Sequence, residues 1–94
     1  MPAWAVELVE RAQEAHAANP TDVQPLRVEM PSFAGELFIG LDIGRRRDLT
    51  VVWALVDRGL TRETAAAIPL ARQPFGVQER VLWTLLQVAR RACI

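Results

Sequence analysis

The chain of 94 residues is 51% hydrophobic and 23% charged, and its formal net charge is zero. This composition supports one domain with a buried core and excludes an intrinsically disordered chain. The charge balance excludes a strongly basic protein that would bind nucleic acid through net charge alone. A single cysteine, Cys93, and a single histidine, His16, exclude an intramolecular disulfide and a metal site built from these two residue types.

Membrane and secretion signals are absent from the sequence pattern. No apolar run reaches the roughly 18 residues that a membrane-spanning helix needs. The first residues lack the basic and then apolar pattern of a secretion signal. We therefore expect a cytoplasmic protein that has no membrane partner.

The first predicted element is a helix over residues 2–18. Its apolar positions recur at helical spacing, and they are Trp4, Leu8, Ala12 and Ala15. Pro20 ends this helix because the residue before a proline disfavours the helical conformation. His16 lies in the last turn, where an exposed histidine suits the helix dipole, and we expect no functional role for it.

Three prolines punctuate residues 19–35. Leu26, Val28 and Met30 alternate with other residues between two of these prolines, which leaves open a short strand over residues 26–30. We interpret the whole stretch as an extended linker that few contacts cross.

Two apolar runs, residues 37–43 and 49–56, predict a pair of strands joined by an arginine-rich turn. One carboxylate stands at each end of that turn, namely Asp42 and Asp48. A carboxylate at the end of a buried strand costs free energy unless it is paired, hydrogen-bonded or bound to a metal. Asp42 is therefore the residue that most needs a functional explanation.

Residues 64–72 are ambiguous, because their alanines favour a helix while a chain returning from the preceding turn favours a strand. We choose an edge strand, since Pro69 is compatible with a sheet only at its edge. The three strands together predict a meander within a mixed sheet.

The clearest helix is predicted over residues 76–89, packed on one face of this sheet. Its apolar positions are Val77, Val81, Leu82, Leu85 and Val88. Gln78, Glu79 and Arg80 are expected on the other, solvent-facing side, and Trp83 falls between the two. Arg90 and Arg91 are expected to complement the C-terminus of this helix, and residues 92–94 are interpreted as the start of a fourth strand.

The sequence IGLDIGRRRDLTVVW, residues 39–53, resembles the start of the C-terminal nuclease domain of phage large terminase subunits, particularly the Mu-like group. The similarity extends over residues 37–94, where the supporting positions are Pro74, Phe75, Gln78 and Leu82. It implies an α/β protein with a partial ribonuclease-H-like fold: a three-stranded meander, a helix and the start of a fourth strand, preceded by an N-terminal helix. Residues 1–35 would be that helix and its linker, and residues 36–94 a truncated nuclease domain.

The resemblance implies metal-dependent cleavage of double-stranded DNA during genome packaging. Asp42 and Asp48 would be catalytic ligands of Mg²⁺ or Mn²⁺, because hard divalent cations prefer carboxylate oxygens in a rigid arrangement. Arg45, Arg46 and Arg47 would neutralise DNA phosphates. The implied partners are double-stranded DNA and other packaging proteins, in the cytoplasm of a host cell that carries the phage or prophage.

Each of these assignments has a simpler alternative. Asp48 would equally well satisfy the amides of its own turn. The arginine triplet is as compatible with a solvated turn as with a DNA contact. For Asp42 we favour the ligand role, because a core-strand position makes a purely structural carboxylate less common.

The family's later acidic ligands have no counterpart before Ile94, and residues 1–35 contain no G-x-x-x-x-G-K-[ST] phosphate loop. We therefore expect a piece of a nuclease domain that is inactive by itself and binds metal weakly. The G-L-D-I-G segment also resembles the start of an actin-like sugar kinase, which is one alternative. The other is a non-catalytic interaction module that self-associates through an exposed sheet edge or binds a partner through Trp4, Trp53 or Trp83.

Overall fold

The computed structural model describes residues 1–31, 33, 36–43, 50–57, 59 and 61–92. Its elements, in chain order, are α1 (Ala3–Ala18), β1 (Glu36–Ile43), β2 (Thr50–Asp57), β3 (Arg62–Pro69) and α2 (Phe75–Ala92). The protein is thus α/β, with two helices and one three-stranded sheet in the described residues. The predicted order of helix, three strands and helix is confirmed.

The three strands form an antiparallel meander in the order β1-β2-β3. The expectation of a mixed sheet is wrong for the described strands, since both pairings are antiparallel. β3 lies at an edge of this sheet, and Pro69 is its exposed last residue. The choice of an edge strand over a helix is therefore confirmed, because a proline there costs no ladder hydrogen bond.

The predicted fourth strand is wrong for Ala92, because α2 continues through this residue. Alanine and arginine are good helix formers, and arginine near a helix C-terminus complements the helix dipole. Cys93 and Ile94, the rest of that predicted strand, lie outside the described residues. Neither described helix is long and apolar enough to cross a membrane.

One hydrophobic core joins both helices to one face of the sheet. The buried sheet residues are Leu37, Val52, Ala54, Val56, Ala66 and Ile68. From α2 the core receives Val77, Val81 and Leu85, as the helical spacing predicted. From α1 it receives Ala5, Leu8 and Ala12.

The linker between α1 and β1 is held against α2 by a buried arginine. Arg80 is only 1% exposed, although it was expected on the solvent side of the helix. Its Nη2 donates to the carbonyl oxygens of Asn19 and Asp22 at 2.6 and 2.9 Å, and its Nη1 donates to that of Gly76 at 2.9 Å. A guanidinium carries five donors, so these carbonyls make its burial tolerable and fix the linker to the helix.

Thr84, one helical turn after Arg80, also binds the linker to α2. Its hydroxyl donates to the carbonyl of Arg80 at 2.7 Å and accepts the amide of Leu26 at 2.9 Å. The optional strand over residues 26–30 does not form, since residues 22–31 contain no strand. Leu26, Val28 and Met30 pack against the core instead. Residues 26–30 of the linker therefore pack over part of the hydrophobic core. The expectation that few contacts cross the linker is wrong.

His16, expected to be exposed, is half-buried at the end of α1 against the start of α2. Its Nδ1 lies 3.3 Å from Nη1 of Arg80. Because a guanidinium can only donate, this contact is a hydrogen bond when Nδ1 is the acceptor. Gly76 leaves room for the ring: a Cβ placed there would lie 2.5 Å from His16 Nδ1 and 3.0 Å from Arg80 Nη1.

Gly76→Ala tests this close approach. Alanine normally stabilises a helix interior by about 0.5–1 kcal/mol relative to glycine, but here we expect a loss of about 1–3 kcal/mol from overpacking. Urea unfolding of the variant measures the change. In a His16→Ala background the same substitution should become neutral or stabilising, because the crowded ring is gone. A stabilising Gly76→Ala in the presence of His16 would contradict the packing described.

Candidate functional site

Asp42 is the penultimate residue of β1, and its backbone pairs with Val51 of β2. The two strands remain paired to Ile43 and Thr50, and residues 44–49 connect them in the chain. The predicted position of Asp42 at the end of a paired strand is therefore confirmed. A paired strand end holds its backbone in one orientation, which is what a metal ligand requires.

The remaining predicted site residues lie outside the described part of the chain. These are Asp48, Arg45, Arg46 and Arg47. Their assignment to metal and DNA binding stays a prediction, and so does the alternative that they only complete a turn.

One face of the sheet lies away from the core, and we call it the open sheet face. Its apolar members are Phe38, Val51, Trp53, Leu55 and Ala67, and Asp57, Arg62 and Thr64 lie on the same face. Phe38 and Trp53 are each 40% exposed, and Gly40, the register partner of Trp53, adds no side chain between them. Val51, the register partner of Asp42, also belongs to this face.

Arg62 brings a positive charge to this apolar face. Its guanidinium carbon lies 5.6 Å from the centroid of the Phe38 ring, in the range of a cation–π contact. Arg62 could not be identified from the sequence, because its position depends on the register by which β2 joins β1 to β3. No local signal in the sequence carries that register.

Asp57, at the other end of β2, shows what a strand-end carboxylate does when it serves a turn. Its Oδ1 accepts the amide of Gly59 at 2.9 Å, and its Oδ2 lies 3.9 Å from Nε of Arg62. Gly59 has a φ of 90°, a left-handed conformation that favours glycine. This role is the alternative that we left open for Asp48, and it makes Asp57 a matched control for Asp42.

The described residues contain no group of three or more His, Cys, Asp or Glu side chains that could hold a metal ion. Carboxylate oxygens are the right kind of ligand for Mg²⁺ or Mn²⁺. One or two of them leave most of the coordination shell to water. The ligand type therefore suits a divalent cation that keeps most of its water molecules. The number of ligands is too small for a closed two-metal centre.

A cleft in the described part of the chain lies elsewhere. It has a volume of about 860 Å³ and is lined by residues 25–31 of the linker and by Thr84, Gln87 and Val88 of α2. None of the predicted site residues lines it. Its lining includes one arginine and one carboxylate, Arg27 and Glu29, and both are exposed. The cleft is a consequence of how the linker crosses α2.

No protein-family model matches this chain, and no curated protein or solved structure is significantly similar to it.

Proposed function

We propose that this chain is the first part of a ribonuclease-H-like nuclease domain of a phage large terminase subunit. The observation that carries the proposal is the position of Asp42 at the end of the first strand of a three-stranded meander. A helix follows the third strand and packs on the core face of the sheet, in the expected order. The resemblance of residues 39–53 to this family is additional support for the proposal.

In this function Asp42 and Asp48, which flank the arginine triplet in the sequence, would hold Mg²⁺ or Mn²⁺. A bound divalent ion supplies a more acidic water molecule and stabilises charge on the phosphodiester. Asp42 contributes a carboxylate whose backbone is fixed by pairing with Val51. Arg45, Arg46 and Arg47 attract the phosphates of double-stranded DNA, and this attraction is independent of base sequence.

We expect no turnover from the 94-residue chain, because two carboxylates are fewer ligands than a two-metal mechanism uses. Plasmid nicking with Mg²⁺ or Mn²⁺, with Asp42→Ala as the control, measures this directly. Robust cleavage that disappears in the Asp42→Ala variant would contradict the expected inactivity and would reveal a complete site. DNA binding is therefore the more informative test of the proposed function.

The protein should bind double-stranded DNA weakly, with an affinity that falls as salt rises. Each neutralised phosphate contributes about 0.9 to the slope of log K against log salt concentration. Replacing Arg45, Arg46 and Arg47 together by glutamine should therefore reduce the magnitude of this slope by about 2–3. Fluorescence anisotropy of a labelled duplex, measured across a salt series, gives the slope.

The control for this experiment removes three arginines from elsewhere on the surface. Arg11, Arg27 and Arg72 are exposed and lie on three other segments of the fold. Replacing them by glutamine changes the net charge equally and should leave most of the slope in place. Equal losses in the two triple variants, or no binding by the unaltered chain at low salt, would contradict a role of the triplet in DNA binding.

A non-catalytic interaction module is the second candidate function. The observation that favours it is the open sheet face, on which Phe38 and Trp53 are each 40% exposed. Large exposed aromatic side chains are typical of surfaces that bind a protein partner. This candidate predicts no salt-dependent DNA binding through the arginine triplet, so the anisotropy experiment distinguishes the two.

A further inference from the structure

One wall of the cleft between the linker and α2 is a row of unpaired backbone groups. This linker cleft has a volume of about 860 Å³ and is lined by residues 25–31 together with Thr84, Gln87 and Val88. The backbone of residues 27–31 makes no hydrogen bond to any residue that the structure describes. A row of unpaired amides and carbonyls along an extended chain is what an added strand recognises.

The contact of the linker with Thr84 determines which backbone groups point into the cleft. Within residues 26–30 the even-numbered side chains are half-buried and the odd-numbered ones are exposed. This alternation is typical of an extended chain, in which the amides and carbonyls of successive residues point to opposite edges. The amide of Leu26 donates to the hydroxyl of Thr84 at 2.9 Å, so it points towards α2. The amides and carbonyls of Val28 and Met30 share that edge and are therefore directed towards the cleft.

Arg27 and Glu29 add one charge of each sign to the lining of the cleft. Neither side chain makes a hydrogen bond or ion pair with a residue that the structure describes. Residues directly opposite each other on two antiparallel strands have Cβ atoms about 4.5–5.5 Å apart, close enough for their charges to interact. An antiparallel strand with the pattern basic, apolar, acidic has its basic residue opposite Glu29 and its acidic residue opposite Arg27 when its apolar residue pairs with Val28.

We propose that the linker cleft binds an extended peptide segment of a partner protein, which pairs as an antiparallel strand with Val28 and Met30 and carries the pattern basic, apolar, acidic. Main-chain hydrogen bonds supply affinity, and the two charges select the sequence. A peptide fits this wall because its own backbone repeats one donor and one acceptor at the same spacing. None of the predicted nuclease residues lines the cleft, so peptide binding does not depend on metal or DNA binding.

The synthetic peptide PLRVEMP, which has the sequence of residues 25–31, carries the required pattern and is the probe. We expect weak, saturable binding to the isotope-labelled full chain, with nuclear magnetic resonance shifts of the amides of Val28, Met30 and Gln87. The peptide PLEVRMP has the same composition but places like charges opposite Arg27 and Glu29, and it should bind about threefold to tenfold more weakly. The protein variant Arg27→Glu with Glu29→Arg should reverse this preference. Both positions are exposed, and circular dichroism verifies that the variant is folded.

N-methylation of the probe tests the main-chain hydrogen bonds separately from the charges. A methyl group on the amide of the probe's valine removes the donor to the carbonyl of Val28 and should weaken binding about tenfold. A methyl group on the amide of its arginine, which points away from the linker, should be tolerated. No binding at millimolar peptide would overturn the proposal. So would equal effects of the two methyl groups, a preference that is not reversed by the charge exchange, or amide shifts confined to the open sheet face.

Discussion

Replacing Arg80 by alanine is expected to lower the free energy of unfolding by about 3 kcal/mol. The loss has two sources: the buried stem of the side chain leaves a cavity, and three carbonyls lose a charged donor. Asn19 and Asp22 lie in exposed positions, so water takes over part of their hydrogen bonding and keeps the loss from being larger. The linker should also detach from α2, because Arg80 holds its first residues.

Urea unfolding followed by tryptophan fluorescence and circular dichroism measures this change. Arg80→Met separates the two sources, since it keeps most of the buried volume and removes the donors, and we expect about half of the loss. Arg11→Ala is the control for an exposed arginine and should change stability by less than about 0.5 kcal/mol. A similar small change for Arg80→Ala would show that the guanidinium does not hold the linker.

Leu8→Ala should cost about 2–5 kcal/mol, the usual range for removing a buried leucine. Leu8 is fully buried, and through it α1 packs into the same hydrophobic core as the sheet. The whole chain should therefore unfold in one transition at a lower urea concentration. Val6→Ala, on the exposed side of the same helix, is the matched control and should have a much smaller effect.

The unfolding of the Leu8→Ala variant also tests the predicted domain boundary between residues 35 and 36. If residues 1–35 were an appendage, Leu8→Ala would melt α1 and leave the unfolding of the sheet unchanged. The shared core and the hydrogen bonds of Arg80 and Thr84 lead us to expect one cooperative unit. Coincident transitions by fluorescence and circular dichroism would agree with that expectation.

The regular elements were predictable because their signals are local. The nearly continuous apolar run of residues 37–43 predicted β1, and the spacing of Val77, Val81 and Leu85 predicted α2. The spacing rule placed Arg80 on the solvent side of α2, whereas this residue is buried. A charged residue is predicted to be exposed unless its hydrogen-bond partners are known. Those partners, the carbonyls of Asn19 and Asp22, lie about sixty positions away in the chain. The end of α2 was also missed, because a short apolar sequence fits a strand as well as a helix.

For the candidate site, only the location of Asp42 in the fold could be predicted from the sequence. A carboxylate at the end of an apolar run indicated Asp42, and the structure has it at the end of a paired strand. The apolar character of the open sheet face and the contact of Arg62 with Phe38 depend on strand register. Register is fixed by packing between distant residues, which one sequence does not display.

Binding of Mn²⁺ at the end of β1 tests the role of Asp42 most directly. Mn²⁺ broadens the nuclear magnetic resonance signals of nearby amides, so it reports even weak binding of a largely hydrated ion. Titration into isotope-labelled protein should broaden the amides of Ile43, Thr50 and Val51 first. Asp42→Asn should remove this effect, and Asp57→Asn should preserve it, since Asp57 serves its own turn. Broadening that is absent from this end of the sheet, or that persists in Asp42→Asn, would contradict the assignment of Asp42 as a metal ligand.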